Sequence, residues 1–259
     1  MREIKLGKHK LKIFDSIEEL PISRHHKFSK LVLIDAHIGA ELSDFDAHAE
    51  RIVRYIRSEK NDLAIREISN LRQNVFFVQS EISPKYLAFA ALVYSVDGKV
   101  NDDLSDNALQ ELLKSISDVP KGEIDKAVEE SKKKLDLELQ VYFPKLFDSA
   151  AVKEYYELLK KRAVLMLNKI TQEGFTKEEE EELERVTNSL VLFSDPQTFM
   201  GSESVEVQQD KQFENACLVI SQSTNADPKK FTVLEYYNAL LYLREQAKEQ
   251  KKKAPKNRA

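Results

Sequence analysis

Residues 70–100, NLRQNVFFVQSEISPKYLAFAALVYSVDGKV, are the most apolar stretch of a highly charged chain, and the reading of the fold works outward from them. Leu71, Val75, Phe76 and Val78 recur at helical spacing, and Pro84 suits the first turn of a second helix, where its missing N–H leaves no bond unmade. From Leu87 to Val96 the chain is almost unbroken apolar sequence, which demands burial on every side. At about ten residues the run is far short of the roughly 20 that cross a bilayer, so it predicts a core helix. Asp97-Gly98 then marks a tight turn, and Ser105 with Asp106 can cap a helix over 107–117.

Composition sets the class. Charged residues make up 32% and hydrophobic ones 42% of the 259 residues, with only 6 Gly and 7 Pro, a balance that suits amphipathic helices better than a glycine-punctuated α/β enzyme or a β-sandwich. The expected fold is all-α, a multi-helix orthogonal bundle with a short N-terminal strand or hairpin and a smaller C-terminal helical unit. A net charge of -4 gives no overall basic field, which argues against a nucleic-acid binder. The single cysteine, Cys217 in FENACLVI, excludes an intramolecular disulfide and reads as a buried thiol in a reducing compartment. The first residues, MREIKLGKHKLKIF, hold no apolar core of a secretion signal, so no membrane role is expected and the cytosol is the default.

Residues 3–14 partly alternate and predict one or two short strands or an extended arm, able to pair with the Asp97-Gly98 turn. Ser16 with Glu19 is a minimal capping box cut short by Pro21. The first firm helix begins near Ser23, turns Phe28, Leu31, Val32 and Ile34 inward and stops at Gly39. Ser43 with Asp46 opens a helix through Arg57 whose Ile52, Val53 and Ile56 should face the core. Asn61 or Asp62 caps the helix that enters the central stretch.

Beyond a joint at 118–122, Ile124, Val128, Leu135 and Leu139 mark a helix that Phe143-Pro144 ends. Residues 149–171 carry the clearest amphipathic stripe, Val152, Tyr155, Tyr156, Leu159, Ala163, Met166, Leu167 and Ile170, with Gly174 as a stop. Thr176 and Glu179 form a capping box, and the acidic run from Glu178 to Glu182 complements a helix N-terminus rather than binding a cation. The expected domains are 1–194, a loop or linker at 195–209 and a C-terminal helical unit at 210–250. That unit holds Phe213, Ala216, Cys217 and Ile220 on one helix, and Leu234, Tyr237, Leu241 and Leu243 on another capped by Thr232 and Glu235. Residues 251–259 read as a disordered basic tail, since KEQKKKAPKNRA has six basic residues against one Glu.

No catalytic constellation emerges. His25, His26, Asp35, His37, Asp44, Asp46 and His48 are a divalent-metal ligand set by type, but no two of the histidines have the i, i+4 spacing of a two-histidine helical site, and solvent-facing or capping roles are expected instead. Residues 97–106, DGKVNDDLSD, miss the calcium-loop pattern, with Gly98 second rather than sixth and no Glu at the twelfth position. Phosphate-binding glycine motifs and G-x-S-x-G are absent. No metal, cofactor or catalytic residue is therefore expected. Surplus aromatics, Tyr142, Phe143, Phe147 and Phe199 among them, point to protein contacts, and Tyr155, Tyr156, Tyr236, Tyr237 and Tyr242 are the candidate partner-binding residues.

PISRHHKFSKLVLIDAHIG at residues 21–39, SNLRQNVFFVQSEISPKYLAFAALVYSVDGK, KKKLDLELQVYFPKLF and FTVLEYYNALLYL together resemble a family encoded by tailed bacteriophages of the Bacteroides group. That family is similar in layout to tail assembly chaperones, helical proteins that hold the tape-measure protein before the tail tube polymerises. The resemblance implies a non-catalytic factor in virion morphogenesis, in the host cytoplasm or the virion. Its partner is then the tape-measure protein or another tail or head protein, with homo-oligomerisation open and no nucleic acid expected. Two alternatives stand beside it: a structural virion component such as a connector or neck ring, and a metal-dependent hydrolase using the histidine cluster.

Overall fold

The computed structural model describes residues 1–144, 150–171, 175–191, 193, 195–199, 201–202 and 204–253. It is mostly helical, with a small antiparallel sheet near the N-terminus. Strands β1 (Arg2–Leu6) and β2 (His9–Ile13) form a hairpin that continues through β3 (Val93–Val96) to β4 (Lys99–Val100) in the order β1-β2-β3-β4. Leu11 and Ile13 are fully buried, while Lys10 and Lys12, which alternate with them, face solvent, the pattern of a half-buried strand. The turn Asp97-Gly98 has positive φ at both residues, which is what a two-residue hairpin turn requires.

The helices are α1 (Ile22–His37), α2 (Leu42–Arg57), α3 (Asn61–Ser80), α4 (Pro84–Leu92), α5 (Asp106–Ser115), α6 (Lys121–Tyr142), α7 (Ala150–Thr171), α8 (Lys177–Val191), α9 (Val205–Thr224) and α10 (Val233–Lys253). The core lies where α4 packs between α1, α5 and α6 over the sheet. Phe89, Ala90, Ala91, Leu92 and Val93 have no exposed surface, so the central stretch does sit at the centre.

It does not remain a helix through Val96, as its apolar run predicts. At Leu92 the backbone switches directly into β3, and long-range bonds make that switch stable. The buried Arg24 guanidinium of α1 donates to the carbonyls of Ala91 (3.0 Å) and Val93 (3.1 Å), and also to that of Asn101. The Asn101 side chain donates to Ala90 and Val93. Carbonyls at a helix end have no intrahelical partner, and here Arg24 and Asn101 supply one away from water.

The first half of the central stretch departs further from expectation. Helix α3 buries Ala64, Glu67, Asn70 and Asn74, whereas Phe76 is exposed and Leu71, Val75 and Val78 are half-buried. Helix α2 opens with Glu41 and Asp44 in a capping box rather than with Ser43 and Asp46. Gly39, in the left-handed region, lies so close to the Asp44 carboxylate that any Cβ there would collide with it.

Other local signals match. Pro84 sits in the first turn of α4, Ser105 caps α5, and reciprocal bonds between Thr176 and Glu179 and between Thr232 and Glu235 open α8 and α10, while Ser83, which the sequence reading did not single out, caps α4. Helix α9 starts at Val205 behind the Ser204 cap, inside the segment expected as a loop. Helix α10 runs to Lys253, three residues into the expected tail. Cys217, Ile220, Val233 and Tyr236 join the same core cluster as Leu6, Phe28 and Phe89. The entry to α10 is bonded to the N-terminal part: Val233 and Leu234 N–H groups donate to the carbonyls of Leu20 (2.9 Å) and Ile17 (3.0 Å), satisfying donors of a helix first turn. Phe147, the Gly174 stop and residues 254–259 lie outside the described residues.

Candidate partner-binding surfaces

Helices α2 and α3 form a hairpin whose polar side chains point inward. His48 has no exposed surface; its Nε2–H donates to the Ile38 carbonyl at 2.9 Å, and its Nδ1 lies 2.8 Å from Glu67 Oε1. Arg51 pairs with the same carboxylate, Asn70 donates to it, and Asn74 donates to the carbonyls of Ile38 and Glu41. Burial pushes the Glu67 carboxyl up, but the bonds from His48 and Arg51 outweigh it and hold it below the usual range. This polar seam replaces the apolar one expected of Ile52, Val53 and Ile56.

The apolar residues of α2 are correspondingly turned out. Leu42 is 74%, Phe45 39%, Val53 45% and Ile56 54% exposed, and with Ala49 they recur at i, i+3, i+7, i+11 and i+14 on one stripe. Ile65 and Ile68 of α3 are exposed as well.

Helix α7 repeats the pattern. It packs on α8, with the Arg162 guanidinium donating to the Thr187 hydroxyl, and α8 in turn touches α2 through Arg54 and Asn188. The opposite side of α7 is open, with Tyr156 64%, Leu167 59% and Ile170 79% exposed. The stripe that sequence periodicity identifies is real, but it faces solvent.

The five candidate tyrosines therefore divide. Tyr155 and Tyr156 are in ring contact on α7, and Tyr155 also meets Phe193. Tyr236 is buried against Phe213 and Tyr237, and Tyr237 packs against Phe143 and His25. Burial raises the pKa of both phenols, keeping them neutral. Tyr242 is 61% exposed, further along α10, and its hydroxyl accepts a bond from Gln246. Among the described residues no ring contact links the α7 pair to the α10 set, and Tyr236 and Tyr237 pack with the core cluster.

The histidines also scatter. His25 is buried against Phe28 and Tyr237, and burial holds its pKa down at about 4. His26 turns the other way, stacking on Phe213 and meeting Asp210 at 2.8 Å, which docks α9 on α1. His37 bonds to the Leu33 carbonyl, Asp35 accepts from the Lys85 N–H at the start of α4, and Asp44 caps α2. Solvent-facing or capping roles thus fail for His25 and His48, which are buried because each fills an interhelical contact that sequence spacing does not reveal. Among the described residues, no three His, Cys, Asp or Glu side chains converge as a metal site. In the segment 97–106, Asp97 is engaged by His9 and the Lys10 N–H, and Asp103 by the Ser105 N–H.

Comparison with models of known protein families, with curated proteins and with solved structures finds no match. Among the described residues no helix is long and apolar enough to cross a membrane. Sequence reasoning missed Arg24, the His48–Glu67 seam and the outward stripe of α2. The last had a signal, because Leu42 and Phe45 extend the spacing of Val53 and Ile56 across a helix whose other faces carry His48, Arg51 and Tyr55.

Proposed function

We propose that the protein is a non-catalytic binding factor in tailed-phage morphogenesis, acting as a tail assembly chaperone that holds the tape-measure protein. The observation that carries this reading is the open stripe of α7, where Tyr156, Leu167 and Ile170 leave large apolar side chains in water. Such patches cost solubility unless another surface covers them, and an amphipathic helix of a client chain would supply anchors at i, i+3, i+4 and i+7.

Co-expression with the tape-measure protein tests it. The wild-type chain should keep that client soluble, and Leu167→Asp with Ile170→Asp should abolish capture while the circular dichroism stays helical. Mature particles should lack the protein. Its recovery from purified virions at fixed stoichiometry, with no effect on client solubility, would reject the chaperone in favour of a structural component of the head or tail.

A further inference from the structure

We infer that His9 is a proton-operated clamp: as an imidazolium it bridges Asp97 and Asp118, tying the β3–β4 turn to the joint between α5 and α6, and loss of its proton loosens that joint. The device stands apart from client binding, because it uses the sheet and α5 rather than α7.

The geometry calls for the charged ring. His9, at the start of β2, is buried, with its Nδ1 2.7 Å from Asp97 Oδ2 and its Nε2 2.8 Å from Asp118 Oδ1. An ionised carboxylate only accepts, and a neutral imidazole has a single N–H, so both bonds form at once only when the ring carries two. A proton on either carboxyl instead is disfavoured, because each has a second donor. Asp97 Oδ1 accepts the Lys10 N–H at 2.8 Å, and Asp118 Oδ2 pairs with Lys8 Nζ at 3.0 Å. The Lys10 N–H first and His9 second lower the Asp97 carboxyl, while His9 first and Lys8 second bring that of Asp118 down to about 2.

The charges around the ring come from every neighbouring segment: Asp97 from the β3–β4 turn, Asp118 from the joint after α5, and Lys8 from the β1–β2 turn. Glu123, at the start of α6, accepts the N–H of Gly7 in that same turn at 3.1 Å. The bond to Asp97 first, and that to Asp118 second, raise the His9 pKa above 6.5. The folded ring therefore holds its proton more tightly than the unfolded one. Its stabilisation is full below pH 6.5 and is lost as pH rises through the folded-state pKa.

The two sides of the clamp differ in strength. The Asp97 N–H also donates to the Lys10 carbonyl at 2.8 Å, so the β3–β4 turn stays on β2 without the ring. Asp118 keeps its ion pair with Lys8, whose side chain is 73% exposed and contributes little in water. A neutral ring that leaves its Nδ1–H on Asp97 turns the Nε2 lone pair onto the Asp118 carboxylate, and the joint is repelled. Ile116 and Val119 are buried on either side, which keeps the loosening local. It falls beside a cleft of about 630 Å³ between the β3–β4 segment, with Asp97 and Asn101, and α5, with Glu111, Leu112 and Ser115. Asp97 belongs to one wall and Asp118 follows the other by three residues, so the proton on His9 sets how firmly the two are held together.

NMR titration of the His9 ring in the full chain tests the clamp. At about pH 6 both ring nitrogens should carry protons, and the ring should titrate above 6.5. Asp118→Asn should move that titration down. Asp97→Asn should do the same, since it keeps an oxygen for the Lys10 N–H and Asn tolerates the positive φ at this position. Hydrogen-exchange protection of the Ser117 and Val119 amides, corrected for the intrinsic rate, should fall about tenfold as pH rises through the His9 titration, while that of the Asp97 amide persists. In His9→Gln this pH dependence should vanish. A ring with one N–H at about pH 6, a His9 that titrates at or below 6.5, or joint protection that does not change through the titration would overturn the proposal.

Discussion

His48 of α2 and Glu67 of α3 meet at 2.8 Å with side chains only 1% and 3% exposed, and this contact is the keystone of the hairpin. Deleting the Glu67 carboxylate leaves the buried His48 imidazole and the Arg51 guanidinium without their partner, and breaking a buried pair in this way is costly. Glu67→Ala should therefore destabilise the chain by about 3 kcal/mol, and His48→Leu with Glu67→Leu should cost clearly less than the two single losses added together. Urea midpoints of the three variants decide the matter, and strict additivity would show that the pair acts independently.

Arg24 should be as sensitive. Replacing it with Met keeps the packing on the Phe14 ring but leaves the carbonyls of Ala91, Val93 and Asn101 short of donors. With hydrogen bonds from a charged group contributing about 1.5–3 kcal/mol each, the loss should reach at least about 3 kcal/mol. Arg24→Lys should recover only part of it, because an ammonium does not reproduce the fork of the guanidinium. A midpoint unchanged by Arg24→Met would refute this account of the helix-to-strand switch.

The cap of α10 gives a smaller effect. Thr232 Oγ1 accepts the Glu235 N–H at 3.3 Å and Glu235 accepts the Thr232 N–H at 2.8 Å. Thr232→Ala should cost about 1 kcal/mol, readable as a shift in thermal or urea midpoint.

Acid should weaken the fold through His25. Burial first, and the neighbouring His26 second, lower its pKa from 6.5 to about 4, so the folded chain binds this proton less tightly than the unfolded one. Stability present above pH 6.5 is then lost as pH falls toward 4, amounting to roughly 2 kcal/mol by about pH 5. Glu67, whose pKa is lowered, adds a loss at still lower pH as its carboxylate is protonated. His25→Met should remove the first of these, and equal pH dependence of wild type and variant between about pH 7 and pH 5 would contradict the assignment.

What the sequence determines by itself is local. The starts of α4, α5, α8 and α10 follow from Ser83, Ser105, Thr176 and Thr232, because a cap is a contact between residues three apart and no distant partner enters it. The stripes of α2 and α7 are equally visible, since helical periodicity is set by backbone geometry. Which way a stripe faces is another matter. An isolated pattern cannot tell a core from a docking face, and in α2 the choice is made by His48, Glu67 and Asn74, whose partners lie on other elements. The end of α4 is decided likewise, at Leu92, by a guanidinium 67 and 69 residues from the carbonyls it satisfies. Val93 to Val96 could extend a helix or a strand, and only the assembled fold brings Arg24, Asn101 and the edge of β2 to where a strand leaves fewer buried polar groups unpaired.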